Sequence, residues 1–159
     1  HNLQREAEYR RIITDSCRAA LSAMADTGCG PLDGVVAALC VMEDDGITNA
    51  GYGSNLTHAG VVECEAAVMD SVSGLSGSVG AVSGVRNASA IAAALVREQK
   101  KGLLSLGRLP PSFMVGEGAR RWAMEHDIPV TNVDSLVTPG ALASWRNWSE
   151  RLALVADQP

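Results

Sequence analysis

Between Val61 and Val85 this chain carries two segments with strand periodicity, and nearly all its remaining regular pattern is helical. In the first, Val62, Cys64, Ala66 and Val68 face one way while Glu63 and Glu65 face the other, which reads as a half-buried strand over Val61–Asp70. Ser71–Gly77 reads as a turn and Ser78–Val85 as a second strand, so that the two pair as a hairpin. Gly77, Gly80 and Gly84 lie in or beside that strand, where glycine marks a bulge or the close approach of another layer. Ser112–Val115 adds one short apolar run. Two strands and a short run are too few for a self-sufficient sheet of the usual size. A layered α/β or α+β unit of which this chain forms only part is expected.

The helical segments are well punctuated. Leu3–Met24 is apolar at Leu3, Tyr9, Ile12, Ile13, Cys17, Ala20, Leu21 and Met24, with Asn2 as its expected cap. Gly28-Cys29-Gly30 breaks it, and Pro31 opens a second helix with Asp33 in its first turn. That helix ends on Glu43-Asp44-Asp45, acids that oppose the helix dipole. Such an end is either a solvated turn or the seat of a cation or hydrogen-bonding partner. Further helices are expected at Ala88–Lys101 with Asn87 as cap and Gly102 as stop, from Gly116-Glu117-Gly118 to His126, and from Gly140 to about Val155.

Length corresponds to one ordinary domain, at 159 residues. A hydrophobic fraction of 47% is globular, and an aromatic fraction of 4% leaves the core to Ala, Val, Leu and Ile. A net charge of −5 argues against a nucleic-acid-binding surface. Cys17, Cys29, Cys40 and Cys64 show no C-x-x-C spacing and His1, His58 and His126 lie far apart, so no zinc site is expected. Three of the cysteines sit in apolar periodic segments, which points to buried free thiols in a reducing compartment. No apolar run approaches the roughly 20 residues of a bilayer span. No signal-peptide pattern opens the chain, although it starts at His1 rather than Met, which leaves room for a leader.

Chemistry is most legible in Thr48-Asn49-Ala50-Gly51-Tyr52-Gly53-Ser54-Asn55-Leu56. Gly51 and Gly53 let a ligand approach the main chain, and Asn49, Ser54 and Asn55 supply donors and acceptors. The competing explanation is an Asx-turn that spends those groups on the loop's own backbone. Glu63 and Glu65 share a strand face and form either a carboxylate pair for acid–base work or a solvated or interface face. Gly116-x-Gly118 is half of a phosphate loop, and a close helix–sheet contact explains it better. Sequons at Asn55, Asn87 and Asn147 matter only in a secreted or lysosomal protein. Ser54 and His58 make no triad, since the chain has no G-x-S-x-G elbow. No complete catalytic constellation can be assembled.

The run TNAGYGSNLTHAGVVECEAAVMD (Thr48–Asp70) resembles the glycine loop and following strand of the threonine-nucleophile amidohydrolases, which include plant-type asparaginases, glycosylasparaginases and threonine aspartases. GAVSGVRNASAIAAALVREQKKGLLSLGRLPPSFMVGEGARRWAMEHDIP (Gly80–Pro129) continues the match over nearly the whole chain. The nearest form is threonine aspartase (taspase), through T-N-A-G-x-G-S-N-L, K-G-x-L-S-x-G-R-x-P-P and G-E-G-A-R-R-W-A.

The resemblance implies an α+β fold, the four-layer αββα sandwich of N-terminal-nucleophile hydrolases, with residues 1–159 as the α-subunit part of one such domain. It implies a proenzyme that cuts itself before a threonine, which becomes the nucleophile at the start of the β subunit with its own α-amine as base. The nucleophile is thus not in this chain. The chemistry implied is endoproteolysis after aspartate. The alternatives are hydrolysis of asparagine, isoaspartyl dipeptides or glycosylated asparagine, or an inactive scaffold of the same fold. By the same resemblance Asn49 supports the nucleophile, Gly51, Gly53, Ser54 and Asn55 line the substrate, and Arg5 stands near its entrance. No organic cofactor is implied. A structural sodium ion would be held by the backbone carbonyls of Met42, Glu43, Asp45, Thr48, Ala50 and Tyr52. The implied partners are the β subunit from the same precursor, a second αβ unit and protein substrates, with no nucleic acid and no membrane. Location in nucleus and cytoplasm follows from the threonine-aspartase likeness, and a lysosomal one from the glycosylasparaginase form. The sequence departs from the family in three ways. It begins after the family's first strand and its His-Ala-Gly-Ala-Gly loop, it ends at Gln158-Pro159 without a cleavage junction, and it has Ser71 where a Gly usually follows Met-Asp.

Overall fold

The computed structural model describes residues 2–156, with side chains from Leu3 to Val155. His1, the Asn2 side chain expected as a cap, and Gln158-Pro159 lie outside the described residues. In chain order come α1 (Asn2–Ala25), α2 (Pro31–Glu43), β1 (Cys64–Asp70), β2 (Leu75–Val82), α3 (Ala88–Lys100), β3 (Phe113–Val115), α4 (Gly116–Glu125) and α5 (Pro139–Ala156). Single turns of 3-10 helix lie at Ser105–Gly107 and Val133–Leu136. The chain is α+β, built on a small sheet of order β1-β2-β3.

β1 and β2 form the expected antiparallel hairpin, while β3 joins β2 in parallel. β2 begins three residues earlier than the sequence pattern indicates, because the turn before it is tighter. The Asp70 carboxylate accepts the Ser73 amide (3.1 Å) and hydroxyl (2.5 Å), the Gly74 amide closes onto the Asp70 carbonyl (2.8 Å), and Gly74 takes a φ of +71°. Ser71, the departure from the family pattern, is an exposed residue of this turn. The β1–β2 register shifts between Cys64 and Ala66, and Ala81 takes a positive φ of 48° there. This bulge returns Val82 to the same face as Val79, so both are buried.

Helices cover one face of the sheet. Cys64 and Val68 from β1, with Gly77, Val79 and Val82 from β2, turn toward α3 and α4. One cluster joins Val79, Val82 and Val85 to Ile91, Leu95, Ala119, Trp122 and Ala123, and a second joins Val68 to Leu32, Val36, Ala92, Ala93 and Val96. Gly77 is the close approach its sequence position indicates: a Cβ there would stand 2.1 Å from the Ala92 carbonyl oxygen. A Cβ on Gly116 would lie at an ordinary 3.8 Å from the Ala81 carbonyl oxygen of β2 and one on Gly118 would meet nothing within 4 Å, so the approach at Gly116-x-Gly118 is not close enough to require glycine. The sheet's other face is open. Ala67, Met69, Phe113 and Val115 all point to solvent on it, Met69 at 69% and Phe113 at 62% exposure.

Thiol burial is less uniform than the periodicity indicates. Cys64 is buried and Cys40 half-buried, but Cys17 and Cys29 are exposed. Cys17 falls on the side of α1 away from α2, beside the exposed Ile13 and Leu21, and Cys29 sits in the α1–α2 turn. No described helix is long and apolar enough to cross a membrane.

Candidate active site

The acidic end of α2 organises the region around Asn49, because each acid has its own partner from a different element. The buried Glu43 carboxylate accepts the Ser89 amide (3.0 Å) and hydroxyl (2.6 Å) in the first turn of α3. Asp44 pairs with Arg86 at 2.5 Å and accepts from the Asn87 amide group at 3.2 Å. Asp45 takes Arg11 of α1 at 2.5 Å and the Ile47 amide at 3.0 Å. The acids that oppose one helix dipole thus favour another, since Glu43 lies at the positive end of α3. Asn87 holds the cap position of α3 but makes no side-chain cap bond, for its amide group turns to Asp44 and to the Cys40 carbonyl (3.4 Å). Glu43 does the capping instead. Burial pushes its carboxyl above the usual range, and the Ser89 bonds pull it partly back.

The glycine loop folds against this frame. The Tyr52 amide donates to the Glu43 carbonyl (2.8 Å), and the Thr48 hydroxyl donates to the Met42 (2.5 Å) and Asp45 (3.2 Å) carbonyls. Gly51 has a φ of +54°, and a Cβ on it would come within 2.3 Å of the Glu43 carbonyl oxygen. At Gly53, with φ at +129°, a Cβ would stand 2.7 Å from the Thr48 carbonyl oxygen. The Asn49 side-chain oxygen accepts the Asn55 amide at 2.8 Å, which pins the loop as an Asx-type bond does and leaves the amide NH2 group for other partners. Ser54 is buried, with its hydroxyl 3.7 Å from the Cys64 sulfur. Burial pushes the Cys64 thiol up, so it stays protonated at neutral pH.

A cavity of about 190 Å³ opens here, lined by Glu43, Asn49, Ala50, Gly51, Ser54, Asn55, Glu63, Cys64 and Glu65. Asn49 and three of the candidate substrate-side residues, Gly51, Ser54 and Asn55, are brought together with the Glu63–Glu65 pair. Glu65 is partly engaged, accepting the bulged Ala81 amide at 3.3 Å. Gly53 lies behind the loop against Gly46 and Thr48 rather than in the wall. Arg5 is not in the wall either: it lies along the exposed side of α1 against Tyr9. Arg11, six residues further on, is the α1 arginine that reaches Asp45 at the end of α2. A larger groove of about 790 Å³ adjoins, with mixed polar and apolar walls that include Glu63, Glu117, Arg120, Asn132, Val130 and Val133, and Glu63 lines both spaces. Sequence reasoning missed this groove. Its residues lie far apart along the chain and meet only through contacts between distant segments, among them the Gly84–Thr131 backbone bond (2.8 Å), the Val85–Val130 bridge and the packing of α4 on β2.

Among the described residues no group of three or more His, Cys, Asp or Glu side chains converges as a metal site. The carbonyl set before and within the loop is a different kind of donor. Met42, Glu43 and Asp45 already accept hydrogen bonds from Thr48 and Tyr52, while the Thr48, Ala50 and Tyr52 carbonyls accept none among the described residues. A neutral main-chain carbonyl with a free lone pair is the kind of oxygen a hard cation takes. The Asp45 side chain, tied to Arg11 and Ile47, adds no ligand.

The family model Asparaginase_2, described as Asparaginase, matches residues 1–154. The chain belongs to the asparaginase family. Within that family it is 31% identical to the isoaspartyl peptidase/L-asparaginase of Xenopus laevis over 154 residues, 96% of this chain and 46% of that protein. It is 36% identical over 111 residues to the protein of the same name from Mus musculus, covering 70% of this chain and 31% of the mouse protein. With the plant-type L-asparaginase of Pyrobaculum calidifontis it shares 40% identity over 93 residues, 58% of this chain and 30% of the archaeal one. This asparaginase-family chain therefore spans less than half the length of these relatives.

Proposed function

We propose that this chain is the α part of an amide-bond hydrolase whose nucleophile is a threonine at the start of a β chain from the same precursor. The Asn49 cavity carries the reading. It offers hydrogen-bonding groups and carboxylates, yet its own hydroxyl and thiol, Ser54 and Cys64, face each other, and the thiol is protonated. A nucleophile from outside completes such a site. The open sheet face with Met69, Phe113 and Val115 supports the same reading, because a four-layer αββα sandwich lays a second sheet there.

In this mechanism the threonine hydroxyl adds to the substrate carbonyl while the threonine's α-amine takes its proton. The C–N bond breaks, the amine leaves with a proton, and water then hydrolyses the acyl-threonine ester. Asn49, its oxygen tied to Asn55, keeps its NH2 group to steady the substrate carbonyl. A sodium ion on the Thr48, Ala50 and Tyr52 carbonyls would stiffen the loop. Melting temperature compared in sodium and in tetramethylammonium chloride tests that ion, and equal values remove it. Two αβ units are taken to assemble, which sedimentation velocity reads directly.

Proteins cut after aspartate are placed first among substrates. The threonine-aspartase-like run Lys101–Pro111 supports this choice, as does the groove that Glu63 joins to the cavity, with room for chain beyond the scissile residue. Small substrates such as asparagine and isoaspartyl dipeptides form the second reading, favoured by the names of the relatives. The assembled protein is assayed on a polypeptide with internal aspartates, on asparagine and on a β-aspartyl dipeptide. A new amino terminus after aspartate supports the first reading and turnover of the small substrates alone supports the second. No turnover of any, with the threonine-led chain present, overturns both.

A further inference from the structure

The geometry points to Glu43 as the positioning residue of the Asn49 loop: its carboxylate holds the start of α3 while its carbonyl holds the loop. Both ends are engaged. The side chain is buried, 7% exposed, with one carboxylate oxygen on the Ser89 amide (3.0 Å) and the other on the Ser89 hydroxyl (2.6 Å). The carbonyl takes the Tyr52 amide at 2.8 Å. A carboxylate that accepts two hydrogen bonds at a helix N-terminus is a strong, directional clip.

Gly51 shows what the clip controls. A Cβ there would lie 2.3 Å from the Glu43 carbonyl oxygen, 2.9 Å from the Glu43 Cβ and 2.7 Å from the Arg86 carbonyl oxygen. The glycine is seated in a slot whose walls are the end of α2 and the residue just before the α3 cap. The Glu43–Ser89 bonds, together with the Arg86–Asp44 pair and the Asn87 bonds to Asp44 and Cys40, set the distance between those walls, and the Glu43 bonds are the buried members of that set. Without them the slot widens, Gly51 shifts, and Asn49, two residues earlier, loses the register that its own bond to Asn55 depends on. Glu43 forms part of the cavity floor, but both its oxygens are committed to Ser89. It acts through the loop rather than on a ligand.

This inference rests on the reading of the Asn49 cavity as the active site, so one readout is chosen that does not. In the assembled full-length protein, Glu43→Ala, Glu43→Gln and Ser89→Ala are compared with wild type by hydrogen exchange of the peptide spanning 48–56 and by kcat and KM. Losing one or two hydrogen bonds of this kind is expected to speed exchange of the Tyr52 and Asn55 amides about tenfold in Glu43→Ala, with β3 and α4 unchanged. Activity should fall about tenfold in kcat with KM altered less than about threefold. Ser89→Ala moves both readouts the same way by less. Glu43→Gln, which accepts from the Ser89 amide and donates to its hydroxyl, restores both to within about threefold of wild type.

Wild-type exchange across 48–56 in a folded Glu43→Ala protein overturns the inference, and so does a Glu43→Gln protein as damaged as Glu43→Ala. If Glu43→Ala does not assemble, Ser89→Ala decides, and an unchanged loop there overturns it. A loop that responds in a protein inactive on every amide leaves the positioning role standing and removes the hydrolase reading instead.

Discussion

Gly51→Ala is the sharpest perturbation of the loop. The new Cβ would stand 2.3 Å from the Glu43 carbonyl oxygen and 2.7 Å from that of Arg86, at a φ of +54°. Holding alanine in the left-handed region costs about 1–2 kcal/mol. Forcing a methyl group between two fixed carbonyls adds about 1–3 kcal/mol. The sum, about 2–5 kcal/mol, is a large part of the roughly 5–15 kcal/mol that keeps a domain folded. At about 2–4 °C per kcal/mol for a domain near this size, the melting temperature should fall by about 4–20 °C. Two companion variants separate the causes. Gly74→Ala, with φ at +71° and nothing within 4 Å of the new Cβ, carries only the conformational cost. Gly118→Ala, inside α4 with open space around it, should be stabilised by about 0.5–1 kcal/mol. Thermal melts followed by circular dichroism rank the three. A Gly51→Ala protein that melts with Gly74→Ala refutes the crowded slot between α2 and α3.

The hairpin turn and the open sheet face give two more expectations. Asp70 is held at about 2, first by the Ser73 hydroxyl and then by Lys100. Because its folded value is depressed, the stabilisation it provides is complete above the unfolded value of about 3.9 and is lost as pH falls through about 2. Ser73→Ala should move the Asp70 carboxyl upward and shift acid unfolding to higher pH, as read by carbon-13 titration of the carboxyl and by pH melts. Phe113→Glu changes a side chain that is 62% exposed in this chain, so the hairpin's own stability should move by no more than about 0.5 kcal/mol. The same change should abolish co-purification with the β chain. Retained co-purification would mean that the face is not where that partner packs.

The hairpin, its inward residues Cys64 and Val68, and the bounds of α2 were legible because periodicity and punctuation act locally there. Pro31 starts α2 and the Asp44-Asp45-Gly46 run stops it. The late start expected for β2 came from reading Ser71–Gly77 as one turn. The sequence pattern does not carry the Asp70–Ser73 bonds that close the turn by Gly74. Asn87 shows the same limit. Its type and place are those of a cap, but Glu43, 46 residues from Ser89 in sequence, takes the role. Within the site, Asn49, Gly51, Ser54 and Asn55 were legible from a single short loop. Arg11, Glu43's carboxylate and the groove beside Glu63 were not, since each acts through a contact between distant segments.

In the proposed hydrolase the reacting threonine lies on a second chain cut from the same precursor. Expressing the full reading frame, purifying the product under non-denaturing conditions and determining the intact mass and amino terminus of every chain tests it directly. Two associated chains are expected, one containing Asn49 and the other beginning with threonine. A single uncleaved polypeptide that hydrolyses amide substrates would contradict it.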